Sequence, residues 1–229
     1  MSARCKMPEG RLAEWASGEL SETDDVRVAL HLGECPECQE RVDDYRTLTD
    51  ALGRLGDSDA MKWHRFGTPF GPMFVAASDQ GVSRVSWQTR SPEAFERLIA
   101  SRLPGFPVIE DREALAPVER QIVEYFAGER HDFDLPVDLV LAASPFQRAV
   151  LDAAREIPFG HVVSYGDLAE TIDRPRASRA VGNALGANPV AIVVPCHRIV
   201  RGDGSLGGYG GGTAKKRHLL ALEGVVTGG

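Results

Sequence analysis

The sequence has few cysteines, no long apolar run and no excess of positive charge, and each shortage removes a class of protein. Four cysteines in 229 residues (Cys5, Cys35, Cys38 and Cys196) are better suited to ligand or nucleophile roles in a reducing compartment than to a disulfide framework. No apolar stretch approaches the ~20 residues that span a bilayer. Met1 to Gly10 holds no apolar signal core, so a cytoplasmic chain with no membrane partner is expected. Internal repeats are absent. So is a G-x-x-x-x-G-K-S/T pattern, and the seven glycines of Gly202–Gly212 therefore give little support to a nucleotide-phosphate cradle.

The formal charge of -7 argues at first against a nucleic-acid partner, because phosphate binding needs a basic surface. Its distribution removes the objection. Residues 1–60 carry 7 basic and 14 acidic side chains, which leaves 19 of each in residues 61–229. Within Tyr165 to Arg217, eight basic residues face four acidic ones, enough for a local basic surface.

Residues Pro8 to Leu55 read as helical. Ser21-Glu22-Thr23-Asp24 has the form of a capping box, and Val42, Tyr45, Leu48, Leu52 and Leu55 recur at threes and fours. The polar stretch Gly56 to Asp59 marks a boundary. Two β-type runs follow, Met73 to Ala77 and Val82 to Trp87, joined as a hairpin around Asp79-Gln80-Gly81. Helices are expected at Glu93–Arg102, Ala116–Phe126 and Pro145–Glu156, the last opened by the cap signal Ser144-Pro145-Phe146-Gln147. A short helix opening at Ser164-Tyr165-Gly166-Asp167, broken at Asp173-Arg174-Pro175, and a second at Arg176–Leu185 form a helix-turn-helix. Ala177, Ser178, Ala180, Gly182, Ala184 and Gly186 leave that second helix slim. Val190–Val194, an apolar run of the buried-strand kind, leads into Pro195-Cys196, and a last helix runs from Ala214 to Glu223 with Gly224 as its stop.

A cysteine attacks only as thiolate, so Cys196 needs a base or a positive field, and the adjacent His197 and Arg198 offer either. Cys-His adjacency alone fits an inert buried thiol equally well. The wider sequence changes the reading. Pro195-Cys196-His197-Arg198-Ile199-Val200 resembles the active-site motif of the O6-alkylguanine-DNA alkyltransferases. Ser144-Pro145-Phe146-Gln147, Ile157-Pro158-Phe159-Gly160, Val163-Ser164-Tyr165, Arg179-Ala180-Val181-Gly182, Asn188-Pro189, Gly208-Tyr209 and Leu222-Glu223-Gly224 resemble the same family in order and spacing. The resemblance covers roughly Trp63 to Val225.

The resemblance implies a single-turnover DNA-repair transferase acting on O6-alkylguanine, and on O4-alkylthymine as a further lesion, without a catalytic cofactor. It makes Cys196 the acceptor, His197 the base acting through a water, Glu223 the carboxylate that fixes the imidazole, Asn188 the brace of the turn and Tyr165 the proton donor to the leaving guanine. It implies double-stranded DNA bound through the minor groove, with Arg179 entering the base stack, Arg176, Ser178, Ala180 and Gly182 along the slim helix, and Tyr209 and Gly210 lining the base pocket. Many relatives carry serine at the place of Gly210. That departure leaves the alkyl-group range open.

The segment His31-Leu32-Gly33-Glu34-Cys35-Pro36-Glu37-Cys38 has an H-x3-C-x2-C spacing, and Cys5 lies far enough upstream to close a Cys3His zinc site. It resembles the zinc-binding anti-sigma domains, which implies structural zinc and a sigma factor or other protein as partner. Metal-free thiols on a helical hairpin remain the alternative. The expected fold is α+β: a small all-α zinc module (1–58), an alkyltransferase α/β subdomain (63–138) and a mostly helical, winged-helix-like DNA-binding catalytic domain (143–226). Three readings compete: a non-catalytic lesion binder, a regulator sensing alkylation or redox state through the zinc module, and a cysteine hydrolase. The first would lack Cys196, the second can coexist with repair, and the third would usually start a helix at its nucleophile.

Overall fold

In β2 (Gly71–Ser78), Met73 and Val75 point to one face of a sheet and Phe74 and Ala76 to the other, as the two-residue period of a strand requires. Both faces are buried, which makes this the central part of a mixed α+β architecture. The computed structural model describes residues 7–17, 24, 27–29, 31–32, 35–53 and 60–226. It divides into two compact units, Met1–Ser58 and Asp59–Gly229. No helix among the described residues is long and apolar enough to cross a membrane.

In the smaller unit, α1 (Glu9–Ser17) and α2 (Pro36–Gly53) enclose Leu12, Val28, Leu32, Cys38 and Val42. So small a core benefits from a covalent or metal staple. Of the capping box expected at Ser21–Asp24, only Asp24 is described, and it pairs with Arg11 at 3.0 Å. Leu55 and the polar boundary at 56–59 lie outside the described residues, as do the side chains of Leu48 and Leu52.

In the larger unit, β2 pairs antiparallel with β1 (Met61–Thr68) and with β3 (Gly81–Ser86), and β4 (Val108–Glu110) adds parallel to β1, giving the order β3-β2-β1-β4. Sequence reasoning found β2 and β3 but missed β1 and β4. Lys62, His64 and Arg65 interrupt the apolar pattern of β1, and β4 is only three residues long. On one face Trp63 and Phe74 of the sheet pack against Phe95 and Ile99 of α3 (Pro92–Arg102), each contributing about 1.5–3 kcal/mol by burial. The other face joins the main core with Leu115, Val118, Ile122 and Tyr125 of α4 (Arg112–Phe126). This helix starts four residues before the expected Ala116, because the Asp111 side chain caps it by accepting from Ala114 N at 2.9 Å.

The second half is mostly helical. Ser144 caps α5 (Pro145–Arg155), as its sequence signal requires, and the Gln147 amide also donates to the carbonyls of Ala184 and Ala187. One glutamine thereby ties the start of α5 to the end of α7 (Ser178–Gly186). Preceding α7, α6 (Tyr165–Thr171) opens with a capping box between Ser164 and Asp167. The helix-turn-helix is present, with its second helix starting two residues later than expected. Strands β5 (Val163–Ser164) and β6 (Ile199–Val200) form a short parallel pair, and α8 (Thr213–Leu222) closes the unit.

Edge strand β3 positions the segment that carries Cys196. Val85 N donates to Pro189 O at 2.8 Å, and Val85 bridges to Val190. Residues 190–194, expected as a strand, instead form a buried turn in which Val194 N donates to Val190 O and Ile192 adopts a φ of +76°. A β-branched residue in that region costs on the order of 1–3 kcal/mol and persists only where packing overdetermines it. The apolar pattern signalled burial correctly but not backbone shape.

Candidate active site

Asn188 shapes the turn before the cysteine. Its side-chain oxygen accepts from Val190 N at 2.9 Å, while its amide donates to Val194 O at 3.0 Å and to Cys196 Sγ at 3.1 Å. Cys196 itself opens a single 3-10 turn, Cys196–Arg198, fixed by Arg198 N donating to Pro195 O. Burial pushes the thiol up to about 11, against the opposing pull of the Asn188 amide and the Lys216 ammonium. The resting group at neutral pH is therefore a thiol, and attack needs a route for its proton.

His197 is fully buried. Its Nε2 lies 2.8 Å from Glu223 Oε1 and 3.4 Å from the Tyr125 hydroxyl, and its Nδ1 is buried with no protein partner among the described residues. Burial lowers the imidazole below its ordinary value, with the Glu223 hydrogen bond pulling it back upward. Burial also pushes Glu223 up, but donors from His197, Arg198 and Tyr125 outweigh it and hold the carboxyl at about 2. An ionised carboxylate accepts only, so Nε2 carries the imidazole proton and Nδ1 keeps its lone pair. The histidine is thus arranged as a base at Nδ1.

Glu223 sits at the end of α8, where Gly224 turns the chain with a φ of +74°. Its oxygens also accept from Arg198 Nε and Nη2 at 2.9 Å and from Gly160 N at 3.2 Å. Arg198 is therefore committed to Glu223 and to the Ile157 carbonyl, and the cation acting on the thiol is Lys216. Lys216 Nζ donates to the carbonyls of Ile199 and Gly208, and burial brings it down to about 8 while Cys196 opposes the shift. Sequence reasoning counted Lys216 only as part of a basic surface. It missed Tyr125 altogether, since an aromatic on an amphipathic helix reads as core.

In front of Cys196 lies a cavity of about 610 Å³. It brings together Tyr165, Ser178, Arg179, Gly182, Tyr209 and Gly210, all named from sequence. Arg201 joins them, whereas Arg176 and Ala180 are exposed nearby and do not line it. The Tyr165 hydroxyl donates to Gly208 O at 3.2 Å, and burial, reinforced by Cys196, raises its pKa, so it remains a proton carrier at neutral pH. A Cβ on Gly207 would lie 2.9 Å from that ring, and one on Gly210 would lie 2.9 Å from Gly186 O. The bare backbone at 210 lets the glycine loop close against the end of α7.

In the smaller unit, the ligand atoms of His31, Cys35 and Cys38 lie within 4.8 Å of one another, with His31 Nε2 3.3 Å from Cys38 Sγ. A tetrahedral zinc with bonds of about 2.0–2.3 Å separates its ligands by roughly 3.3–3.8 Å, so the trio fits such an ion after slight closure. Cys5 lies outside the described residues.

Comparison with known proteins supports both parts. Residues 61–139 match the family described as 6-O-methylguanine DNA methyltransferase, ribonuclease-like domain, and residues 145–225 match its DNA binding domain. Residues 5–39 match a putative zinc-finger family. The chain is 43% identical over 150 residues to the inducible methylated-DNA–protein-cysteine methyltransferase of Bacillus subtilis, covering 66% of this chain and 83% of that one. It is 52% identical over 114 residues to a Mycolicibacterium paratuberculosis protein of the same description, covering 50% and 68%. The crystal structure of Mycobacterium tuberculosis OGT in complex with DNA superposes with a TM-score of 0.60 at 37% identity, covering 71% of this chain and 92% of that one.

Proposed function

The chain belongs to the 6-O-methylguanine DNA methyltransferase family and acts in DNA repair by alkyl transfer, and from that premise we propose that Cys196 is the acceptor, used once and irreversibly. The observation that carries the assignment is the Cys196, His197, Glu223 arrangement behind a cavity open to the DNA-binding helix. The thiol proton passes through a bridging water to His197 Nδ1, whose basicity the Nε2 to Glu223 hydrogen bond supports. The sulfur forms a bond to the alkyl carbon as the carbon to O6 bond breaks. The electron pair leaves with the guanine, which takes a proton from the Tyr165 hydroxyl; Tyr165 regains a proton from water and the His197 imidazolium gives its own up, so both return to their resting forms. The product is a thioether, whose carbon–sulfur bond is inert to hydrolysis in neutral water. Turnover therefore ends after one event.

The lesion lies inside a stacked duplex, so the nucleotide must rotate out into the cavity at a cost of a few kcal/mol. Arg179, exposed on α7, fills the gap, with α7 in the minor groove, where Arg176, Ser178, Ala180 and Gly182 give a narrow contact face. Minor-groove readout is degenerate, and sequence preference is expected to be weak. O4-alkylthymine is a second lesion of the same chemistry. Residues 63–138 serve as the α/β support and 143–226 as the catalytic domain.

The module of residues 1–58 holds zinc structurally through Cys5, His31, Cys35 and Cys38, a donor set typical of closed zinc sites. Its acidity disfavours DNA and suits a protein contact, a sigma factor or another partner. The protein works in the cytoplasm, where DNA is reached and thiols stay reduced. To test the assignment, a fixed amount of protein is titrated with duplex carrying O6-methylguanine and the remaining lesion is counted. Lesion loss should stop at one per protein and vanish in Cys196→Ala; continued turnover would refute it.

A further inference from the structure

A second, smaller cavity also reaches Cys196. Its volume is about 40 Å³, and part of its lining comes from the α/β half: Arg84, Val85 and Ser86 at the end of β3, then Trp87 and Gln88 just beyond it. The two cavities share Leu185, Gly186, Cys196, Tyr209 and Gly210, so the sulfur stands at their junction. We propose that Trp87 limits the size of the alkyl group that Cys196 receives, admitting short chains and rejecting arylmethyl groups. The inference rests on the alkyl-transfer reading and specifies its substrate class.

The larger cavity has room for a nucleobase, and whatever the O6 oxygen carries must then lie against the sulfur. Displacement brings sulfur, carbon and oxygen into line, which directs any further atoms of the group sideways, away from that axis. The small cavity, which borders Cys196 as the larger one does, offers space for them. An apolar cavity of about 150 Å³ takes up one benzene ring, and 40 Å³ falls well short of that. Short alkyl groups find room here, whereas a benzyl group would press on the Trp87 wall.

The wall is also held in place. The Trp87 indole stacks on Tyr209 at 6.0 Å with the rings 28° apart and meets Phe70 edge-on at 6.1 Å. Its Nε1 is buried with no protein partner among the described residues, and a Cβ on Gly211 would come within 2.5 Å of that atom. The Gln88 amide donates to Gly210 O, fastening the same loop. Indole and glycine loop are in contact, so neither can retreat without breaking these interactions, and overfilling such a site is costly.

The test uses one duplex sequence carrying either O6-methylguanine or O6-benzylguanine, with single-turnover transfer to Cys196 read by intact mass for the wild type, Trp87→Ala and Trp87→Phe. The wild type should transfer benzyl about 10- to 100-fold more slowly than methyl. The benzyl-to-methyl ratio should rise about tenfold or more in Trp87→Ala and by a smaller factor in Trp87→Phe, which keeps the stack on Tyr209. Because the readout is a ratio within one variant, a general loss of activity does not imitate it. Equal rates in the wild type, or a ratio unmoved in whichever variant still transfers methyl, would overturn the role of Trp87. Wild-type protein that accepts neither group would instead overturn the alkyl-transfer reading.

Discussion

The Tyr125 hydroxyl donates a 2.7 Å hydrogen bond to Glu223 Oε1, the same oxygen that lies 2.8 Å from His197 Nε2. Tyr125 stands on α4 of the α/β half, and Glu223 at the end of the last helix. The α/β half therefore contributes a hydrogen bond to the catalytic carboxylate. Removing that donor in Tyr125→Phe makes Glu223 more basic, which strengthens its hold on the imidazole proton and raises the His197 pKa. The acid limb of the single-turnover rate profile should move to higher pH, with a stability loss of about 1 kcal/mol in urea unfolding. A merely structural tyrosine would lower stability and leave the acid limb in place.

The pH profile itself separates two mechanisms. Were a free thiolate the attacking species in a protein whose thiol sits at about 11, the rate would climb about tenfold per pH unit through the neutral range. With His197 as base, the rate should instead level off once the imidazole is neutral, a point that burial moves below its ordinary value. It should then decline above about 8 as Lys216 loses the charge that favours the thiolate. Rates measured on preformed DNA complexes from pH 5 to 10 distinguish a plateau and fall from a continuous rise.

Stability should fall on acidification, through two groups acting in the same direction. Glu223 titrates at about 2 in the fold, well below its ordinary 4.5. Its contribution, roughly 3 kcal/mol, is fully present above 4.5 and lost as pH falls towards 2. His197 is lowered from its ordinary 6.5, so the unfolded chain takes up a proton first and stability already declines below 6.5. Urea midpoints at pH 7, 5 and 4 should fall steadily in the wild type, and Glu223→Gln should flatten the part below 4.5.

The zinc module should behave as separate chemistry. Metal analysis should find one zinc per chain, reduced in Cys35→Ser, and a strong chelator should lower helical circular dichroism while transfer to Cys196 continues at a rate within about twofold. Zinc retained in full by Cys35→Ser would remove the proposed ligand set.

How much of this was legible in the sequence depended on the range of the interaction. The caps of Ser144 on Gln147 N and of Ser164 on Asp167 N act within a few residues and follow from local patterns, whereas the brace at Asn188 was implied by the family resemblance. Cys196, His197 and Glu223 were identified because the family pattern joins His197 to Glu223, 26 positions further on. Tyr125 and Trp87 were not, since each reaches the site through tertiary packing from the α/β half, where an aromatic has the same sequence signature as any core residue. Lys216 was read as a surface charge, and its burial depends on how α8 packs beneath the glycine loop. The strained turn at Ile192 was read as a strand because alternation and burial look alike in a five-residue apolar run.

One thiol, that of Cys196, is proposed to receive the alkyl group. Intact mass spectrometry of the protein after one equivalent of O6-methylguanine duplex, followed by peptide mapping, tests it most directly. A gain equal to one CH2 per chain is expected, located on the peptide carrying Cys196, with Cys5, Cys35 and Cys38 unmodified. A methyl group on any of those three cysteines, or an unmodified chain that merely holds the lesion, would contradict it.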